Sequence, residues 1–265
     1  MTERPVSIDA LQALVATTSP ASLSVAGAGT KRTAAAAAGT GGIHVLDLRG
    51  ITGIVGYDPA ECVVTVRTGT PVAEVADTLA AHGQYLPWDP PLVHDGATIG
   101  GMLASGLSGP GRYRYGGVRD FVIGAKVVDG RGRLIASGGQ VVKNAAGFLL
   151  HHALAGSAGR LGVIAETSFK VFPRPEATCT LVARASSRGE ALAAHERLRL
   201  ANLDLDALDL DVTGATVLAR LAGAADVLPA RAERAVQALD LPADLRSGHD
   251  EAAAWATAAR FSAGP

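Results

Sequence analysis

The sequence predicts an α+β protein with a larger first domain, residues 1–175, and a smaller second one, residues 176–265. In the first domain short apolar strand patterns alternate with amphipathic helices and glycine-rich turns. After Pro173-Arg174-Pro175, which would interrupt a strand, the order becomes β-α-β-β-α, typical of a small α/β layer. A chain of 265 residues is long for one domain and short for two complete ones.

Each element of the first domain has a local signal. Ser7 is an N-cap residue for a helix with Leu11 and Val15 on its apolar face. Thr70-Pro71 predicts the start of a second helix. A two-residue turn at Asp129-Gly130 predicts a hairpin. The predicted strands of this domain are 23–26, 44–48, 62–67, 122–128, 133–136 and 163–172.

In the second domain, alternating apolar runs predict the strands and amphipathic patterns predict the two helices. Its predicted strands are 178–185, 205–212 and 216–221, and its predicted helices are 189–200 and 230–239.

Composition excludes several classes of protein. The net charge of −1 gives no electrostatic basis for binding nucleic acid or an anionic membrane. Charged residues interrupt the N-terminal segment, and no apolar run reaches the ~18 residues of a membrane span. Cys62 and Cys179 lie far apart in apolar strand patterns, which predicts free, buried thiols. We therefore expect a cytoplasmic protein.

Three glycine-rich turns recur in the first domain, at residues 27–32, 96–117 and 156–162. The middle stretch, GATIGGMLASGLSGPGRYRYGG, is predicted to be neither a flexible tether nor a helix. Such turns are either ordinary loops or anion cradles, because glycine lets backbone N–H groups converge on a ligand.

The common nucleotide-binding motifs do not fit these turns. A dinucleotide fingerprint needs G-x-G-x-x-G, but Arg32 occupies the last glycine position after Gly27 and Gly29. A Walker loop needs Gly-Lys followed by Ser or Thr, which is absent from the sequence. A single ligand that touches several separated turns is the remaining interpretation.

Four blocks resemble the FAD-binding domain of PCMH-type, vanillyl-alcohol-oxidase-like flavoproteins, with most similarity to the FAD-binding E subunit of bacterial glycolate oxidase. The likeness covers about residues 5–175 and implies two subdomains, about 1–88 and 89–175, followed by a partial cap domain. The first two blocks are VAGAGTK from Val25 and LPWDPP from Leu86. The third is 96–110 with Tyr115-Gly116 and Arg119-Asp120, and the fourth is VKNAAG from Val142, resuming at 156–164.

This resemblance implies a set of FAD-binding residues. In the family the first loop wraps the pyrophosphate with backbone amides, and the later turns line the channel for the ribityl chain and flavin ring. The residues implied to bind FAD are Ala26, Gly27, Ala28, Gly29, Thr30, Lys31, Pro87, Asp89, Pro90, Thr98, Ile99, Gly100, Gly101, Ala104, Ser105, Gly106, Ser108, Gly109, Tyr115, Gly116, Asp120, Gly159, Gly162, Val163 and Ile164.

Covalent family members link flavin to histidine or cysteine. The first loop contains neither, so the resemblance implies non-covalent FAD, with His94 as the alternative link. Phe148-Leu149 and Arg160 depart from the family pattern and leave details of the site open.

Two other pairs have alternative interpretations. Lys143-Asn144 is either catalytic or a local pair that ties a turn. His151-His152 suggests a metal, but neighbouring residues of a helix face different ways and no third ligand is evident, so no metal is predicted.

Family members extend well beyond residue 265, so the cap is expected to be incomplete and no catalytic residues are assigned. The leading interpretation is an FAD-dependent oxidoreductase subunit that oxidises a small 2-hydroxy acid such as glycolate or D-lactate and passes electrons on. The alternatives are an FAD-binding structural or electron-relay subunit and, least favoured, a nicotinamide-dependent dehydrogenase. The resemblance also implies a second flavin subunit and an iron–sulfur subunit as partners.

Overall fold

The computed structural model describes residues 1–18, 23–31, 44–139, 149–211 and 213–258. These residues divide into two compact units. Unit 1 comprises Met1–Leu86, Pro90–Ser108 and Gly117–Pro173, and unit 2 comprises Pro87–Asp89, Gly109–Gly116 and the described residues from Arg174 onward. Both units combine helices with sheets, so the predicted α+β class is confirmed.

Unit 1 begins with a small parallel sheet of order β1-β3-β2, in which β1 is Thr2–Glu3, β2 is Leu23–Ala26 and β3 is His44–Asp47. Helix α1, Ile8–Thr17, begins after Ser7, whose hydroxyl accepts a hydrogen bond from the Ala10 N–H, so the predicted cap is confirmed. Its buried face joins Leu46 and Val163 in one core cluster.

A five-stranded antiparallel sheet forms the rest of the framework of unit 1, in the order β4-β5-β9-β7-β8. Its strands are β4 (Ile54–Asp58), β5 (Val63–Arg67), β7 (Val122–Val128), β8 (Leu134–Gly138) and β9 (Val163–Lys170). A two-stranded ladder joins β6 (Gln84–Tyr85) to β10 (Phe172–Pro173). Because β5 pairs directly with β9, strands from both sides of residue 88 belong to one sheet.

The helices of unit 1 pack around these sheets. Helix α2 follows Pro71, as predicted, and buries Val72, Val75 and Leu79. The helical segments after α1 are α2 (Val72–Ala80), α3 (Ile99–Ser105), α5 (Leu150–Ala153) and the 3-10 turns Leu48–Gly50 and Val118–Asp120.

The prediction that the middle glycine-rich stretch contains no helix is wrong. Helix α3 lies within it, capped by the Thr98 hydroxyl, which accepts from the Gly101 N–H at 3.3 Å, and ended by Gly106 at φ +68°. Gly100 and Gly101 are poor helix formers by propensity. Burial of Ile99, Met102 and Leu103 outweighs that cost.

Unit 2 contains the short helix α4 (Arg112–Tyr115) and a four-stranded antiparallel sheet of order β12-β13-β11-β14. The elements in chain order are β11 (Ala177–Arg184), α6 (Arg188–Leu200), β12 (Ala207–Asp211), β13 (Thr216–Gly223), α7 (Leu228–Leu239), β14 (Ala243–Arg246) and α8 (Gly248–Ala258). The predicted β-α-β-β-α order is confirmed, and β14 and α8 extend it. Leu181, Leu221, Ala194 and Leu239 belong to the core between sheet and helices.

The structure also describes the two cysteines and the apolar character of the helices. Both cysteines are free, Cys179 buried and Cys62 half-buried. Among the helices that the structure describes, none has the length and apolar character needed to cross a membrane.

The predicted two-residue turn between β7 and β8 is also wrong. Residues 129–133 form a longer loop in which the Asp129 carboxylate accepts from the backbone N–H groups of Arg131 and Arg133. Gly132, with φ +79°, makes the reversal. Its carbonyl accepts a hydrogen bond from the Gln12 side chain of α1 at 2.9 Å, which fixes the loop against that helix.

This geometry predicts different outcomes for the two glycines of the loop. A Cβ on Gly132 would lie 2.6 Å from the Gln12 carbonyl oxygen in a left-handed conformation. We expect Gly132→Ala to cost about 1–3 kcal/mol of unfolding free energy. Gly130→Ala is the matched control, and urea unfolding of the two variants should separate them. Equal midpoints would contradict the five-residue loop.

Candidate functional site

A cleft of about 260 Å³ opens in unit 1 where the three glycine-rich segments meet. The described residues that line it come from the ends of β2 and β3, from α3, and from the turn before β9. They are Val25, Ala26, Gly27, Ala28, Gly29, Thr30, Lys31, Leu48, Thr68, Thr98, Gly100, Gly101, Ala104, Ser105, Leu107, Gly156, Ala158, Gly159, Gly162 and Ile164.

The first wall of the cleft is the loop Gly27–Lys31, which leaves the carboxyl end of β2. Gly29 has φ +76°, a conformation that favours glycine. Within the described part of the chain, the N–H groups of this loop donate to no backbone carbonyl. A ligand in the cleft would lie beside these N–H groups.

The second wall is the beginning of α3. The Ile99 N–H donates to the Thr70 carbonyl at 3.0 Å and the Gly100 N–H to the Thr68 carbonyl at 2.8 Å, which anchors the helix on the chain that follows β5. A Cβ on Gly100 would lie 1.8 Å from the Thr68 Oγ1. This contact therefore requires glycine.

The first loop and α3 are in close contact as well. A Cβ on Gly27 would lie 2.2 Å from the Thr98 Oγ1. Gly27 and Thr98, which are 71 residues apart in sequence, thus meet at a contact that leaves no room for a side chain on Gly27.

The third wall is the turn Gly156–Gly162, which precedes β9. The Gly156 N–H donates to the Leu103 carbonyl at 3.1 Å, and the Ala158 N–H donates to the Ala104 carbonyl at 2.8 Å. Gly159 lies against Val25, because a Cβ on Gly159 would be 3.6 Å from the Val25 Cβ. The turn therefore contacts both other walls.

Lys31 is the one charged residue among the described residues that line the cleft. Burial lowers the pKa of its ammonium below the ordinary value, and its Nζ donates to the Thr30 Oγ1 at 3.3 Å. An anion in the cleft would lie beside the backbone N–H groups of the loop Gly27–Lys31 and one ammonium. The lining therefore fits a long ligand with an anionic centre and apolar parts.

Most of the predicted FAD-binding residues line this cleft. Ile99, Gly106, Ser108 and Val163 are sequence neighbours of lining residues, whereas Pro90 and Asp120 lie elsewhere in unit 1. Five others, Pro87, Asp89, Gly109, Tyr115 and Gly116, belong to unit 2. Their contact with a ligand stays a prediction.

Sequence reasoning missed several lining residues: Val25, Leu48, Thr68, Leu107, Gly156 and Ala158. Leu48 had a usable signal, because it follows parallel strand β3 and the loops after parallel strands share one edge. Thr68 had none, since only its packing against Gly100 brings it into the cleft.

The remaining candidates that the structure describes are not among the residues that line the cleft. His94 is exposed. The His151 ring is buried, with Nδ1 3.1 Å from the Ser137 Oγ, and burial lowers its pKa. In the ranges that the structure describes, no group of three or more His, Cys, Asp or Glu residues is arranged for a metal. The block 142–147, which includes Lys143-Asn144, and Phe148 lie outside the described residues.

Comparisons with known proteins agree with this geometry. A sequence family described as an FAD binding domain matches residues 2–138, more than half of the chain. Glycolate oxidase subunit GlcE of Escherichia coli is 48% identical over 138 residues, and glycolate oxidase subunit GlcD of Bacillus subtilis is 33% identical over 144 residues. These matches cover 52% and 54% of this chain, but only 39% and 30% of those relatives.

Two further comparisons concern an enzyme and a fold. D-lactate dehydrogenase [cytochrome] 1 of Saccharomyces cerevisiae is 30% identical over 59% of this chain and 26% of its own length. The solved structure of an alkyldihydroxyacetonephosphate synthase superposes with a TM-score of 0.74 at 19% identity, covering 94% of this chain and 52% of that one. This structural likeness concerns the fold alone.

The cleft predicts opposite behaviour for two adjacent glycines. Gly100→Ala should lower the unfolding free energy by about 1–3 kcal/mol, because its Cβ would overlap Thr68. The glycine-rich context of Gly101 suggests a positive φ, but Gly101 lies inside α3 and its φ is not positive. A Cβ on Gly101 would contact only the Thr98 Oγ1, at 3.1 Å.

We expect Gly101→Val to fold but to block the cleft. Its melting temperature without ligand should stay close to that of the wild type. The stabilisation by FAD, about 4 kcal/mol at a thousandfold excess over the Kd, should disappear. Thermal melts with and without FAD test both variants, and full FAD stabilisation of Gly101→Val would contradict the assigned cleft.

Lys31 predicts a pH-dependent affinity. Because burial lowers its pKa and a bound anion favours the ammonium, FAD affinity should fall as pH rises through the pKa of the free protein. Lys31→Met should raise the Kd about tenfold at neutral pH, or ~1.4 kcal/mol, and flatten the pH profile. Lys170→Met, outside the cleft lining, is the matched control. The same profile in all three proteins would remove Lys31 from the site.

Proposed function

The chain belongs to the family of FAD-binding domains, and we propose that it is the FAD-carrying part of an oxidoreductase that oxidises a small 2-hydroxy acid. The observation that carries the proposal is the cleft itself. It joins backbone N–H groups that donate to no described backbone carbonyl, one ammonium and an apolar channel in unit 1. These features suit a dinucleotide whose pyrophosphate is anionic and whose flavin ring is a flat aromatic system.

Each wall has a definite task in this proposal. Gly27–Lys31 would hold the pyrophosphate through backbone N–H groups and the Lys31 ammonium. Helix α3 and the Gly156–Gly162 turn would enclose the rest of the cofactor and exclude water. Bound FAD supplies the acceptor for a hydride from the carbon that carries the substrate hydroxyl.

We propose that the cofactor is bound without a covalent link. Among the described lining residues there is no histidine or cysteine, the two residue types named above for such a link. His94, the alternative link, is an exposed residue outside the lining.

The domain division follows the same reasoning. We propose residues 1–175 as the flavin domain and residues 176–265 as part of a cap domain, with the boundary next to the end of β10. The FAD contacts of Pro87, Asp89, Pro90, Ser108, Gly109, Tyr115, Gly116 and Asp120 remain part of this proposal.

The substrate, partners and location are proposed from the relatives and the family likeness. Two relatives are named as glycolate oxidase subunits and others as D-lactate dehydrogenases. Glycolate or D-lactate is therefore the proposed substrate class. We also propose a multi-subunit complex with a second flavin subunit and an iron–sulfur subunit, located in the cytoplasm.

A second candidate is a subunit that binds FAD without turning over substrate itself. It is favoured by the cleft lining, where Lys31 is the single side chain, among those described, that titrates in water. A carboxylate or histidine base would have to come from outside the described lining.

Acid precipitation tests the cofactor assignment. The purified protein should be yellow, and its flavin should remain in the supernatant after precipitation. Flavin that stays on the polypeptide would contradict the non-covalent proposal. Absence of any bound or bindable flavin would contradict the assigned function.

Anaerobic reduction by glycolate and D-lactate distinguishes the two candidates. We expect slow bleaching of the flavin absorbance in the isolated chain and faster bleaching after addition of partner subunits, because hydride transfer needs the substrate carbon within about 3–3.5 Å of the flavin. Gly101→Val is the control for contaminating activity. Rapid bleaching by the isolated chain would show that no partner is needed, and no bleaching with partners would favour the second candidate.

A further inference from the structure

A partly buried group of charged and hydroxyl side chains lies in unit 2, outside the cleft lining. The Arg220 Nε donates to the Asp206 Oδ2 at 2.7 Å, and the Arg220 Nη2 donates to the Asp89 Oδ2 at 2.6 Å. The Tyr115 hydroxyl donates to the Asp206 Oδ1 at 2.6 Å. We call these four residues, Asp89, Tyr115, Asp206 and Arg220, the Arg220 cluster.

The Arg220 cluster is strongly held. The Asp206 side chain is 4% exposed and that of Arg220 14%. Burial disfavours the charged guanidinium, but Asp89 and Asp206 outweigh this effect and keep the pKa of Arg220 above its ordinary value. The Trp255 ring lies over the guanidinium, 5.3 Å from its central carbon.

This arrangement does not suit an anionic ligand. Two carboxylates face one guanidinium, so the cluster has a net charge of −1 when all three are ionised. A 2-hydroxy acid would be repelled by it. The cluster instead connects separate segments of the chain.

Those segments are the two ends of the stretch that carries α3. Asp89 is the last residue of the segment Pro87–Asp89, and Tyr115 lies in the segment Gly109–Gly116. Both segments belong to unit 2. The intervening residues, Pro90–Ser108, belong to unit 1. Arg220 thus holds the first end directly and the second end through Asp206.

Backbone contacts show how tightly the two ends meet. The Gly109 N–H donates to the Trp88 carbonyl at 2.9 Å, and the Gly111 N–H donates to the Asp89 Oδ2 at 2.9 Å. A Cβ on Gly109 would lie 2.1 Å from the Asp89 carbonyl oxygen, and one on Gly111 would lie 2.0 Å from the Pro87 carbonyl oxygen.

Asp89 adds an element of backbone strain at this point. Its φ is +48°, in the left-handed region that L-residues with a side chain avoid. Such a conformation persists only where surrounding contacts hold it. The Asp89 carboxylate provides these contacts by accepting from both Arg220 and Gly111.

We propose that Arg220 is a positioning residue for FAD binding. By fixing both ends of Pro90–Ser108 it keeps α3 in the geometry that forms the cleft wall, although the side chain is not part of the lining. The inference rests on the proposed binding of FAD in that cleft. If fewer molecules hold the binding geometry, the apparent Kd rises in proportion.

The test compares Arg220→Met with Arg197→Met. Arg197 is also a half-buried arginine of unit 2, but its guanidinium donates to the Leu239 carbonyl, at 2.7 Å and 3.2 Å. In fluorescence titrations with FAD, Arg220→Met should raise the Kd about tenfold, whereas Arg197→Met should leave it within about twofold of wild type. Equal Kd values for Arg220→Met and wild type would overturn the inference. Failure of the wild type to bind FAD would instead contradict the proposed function.

Hydrogen exchange of the FAD-free proteins supplies a second readout. Backbone amides of residues 99–105 should exchange faster in Arg220→Met than in Arg197→Met. Asp206→Asn, which keeps the side-chain shape, serves if Arg220→Met does not fold, and should show the same faster exchange with a several-fold rise in Kd. Unchanged exchange in a folded variant of the cluster would overturn the positioning role even if the Kd rose.

Discussion

The close packing of glycine backbone against threonine side chains is the constraint on which the cleft depends. Gly27 and Gly100 each face a threonine hydroxyl at a distance that admits no Cβ. These contacts bring the end of a parallel strand and the start of α3 to within a few ångströms of each other. The space that remains between them is the cleft, so the glycines shape the site by allowing its walls to approach.

This constraint explains why so much backbone entropy is lost in one part of the chain. Glycine costs more conformational entropy on folding than other residues. Unit 1 offsets that cost by burying the apolar residues that alternate with the glycines, among them Ile99, Met102 and Leu103. The same stretch therefore contributes to the core with its side chains and to the ligand site with its backbone.

The sequence was most informative where one local signal decided the structure. The Ser7 cap, the helix after Pro71 and the β-α-β-β-α order of unit 2 all follow from side-chain period and capping chemistry. Helix α3 was missed because tertiary burial overrides glycine propensity, and the hairpin turn was misassigned because Asp129 stabilises a longer loop through its carboxylate. The first loop, α3 and the last turn were predicted as site segments from family likeness, but Thr68 entered the cleft through packing that no motif encodes.

The pairing of β5 with β9 has a consequence for how the protein is made. These strands join residues about a hundred positions apart, and the turn before β9 closes the cleft against a loop that begins at Gly27. Contacts between residues so far apart in sequence form late and slowly. The chain must first lose the entropy of closing a long loop, and only then do the contacts stabilise it. A ribosome would therefore have to release nearly the whole of unit 1 before any cofactor site exists, and the nascent chain would have to remain unaggregated without ligand until then.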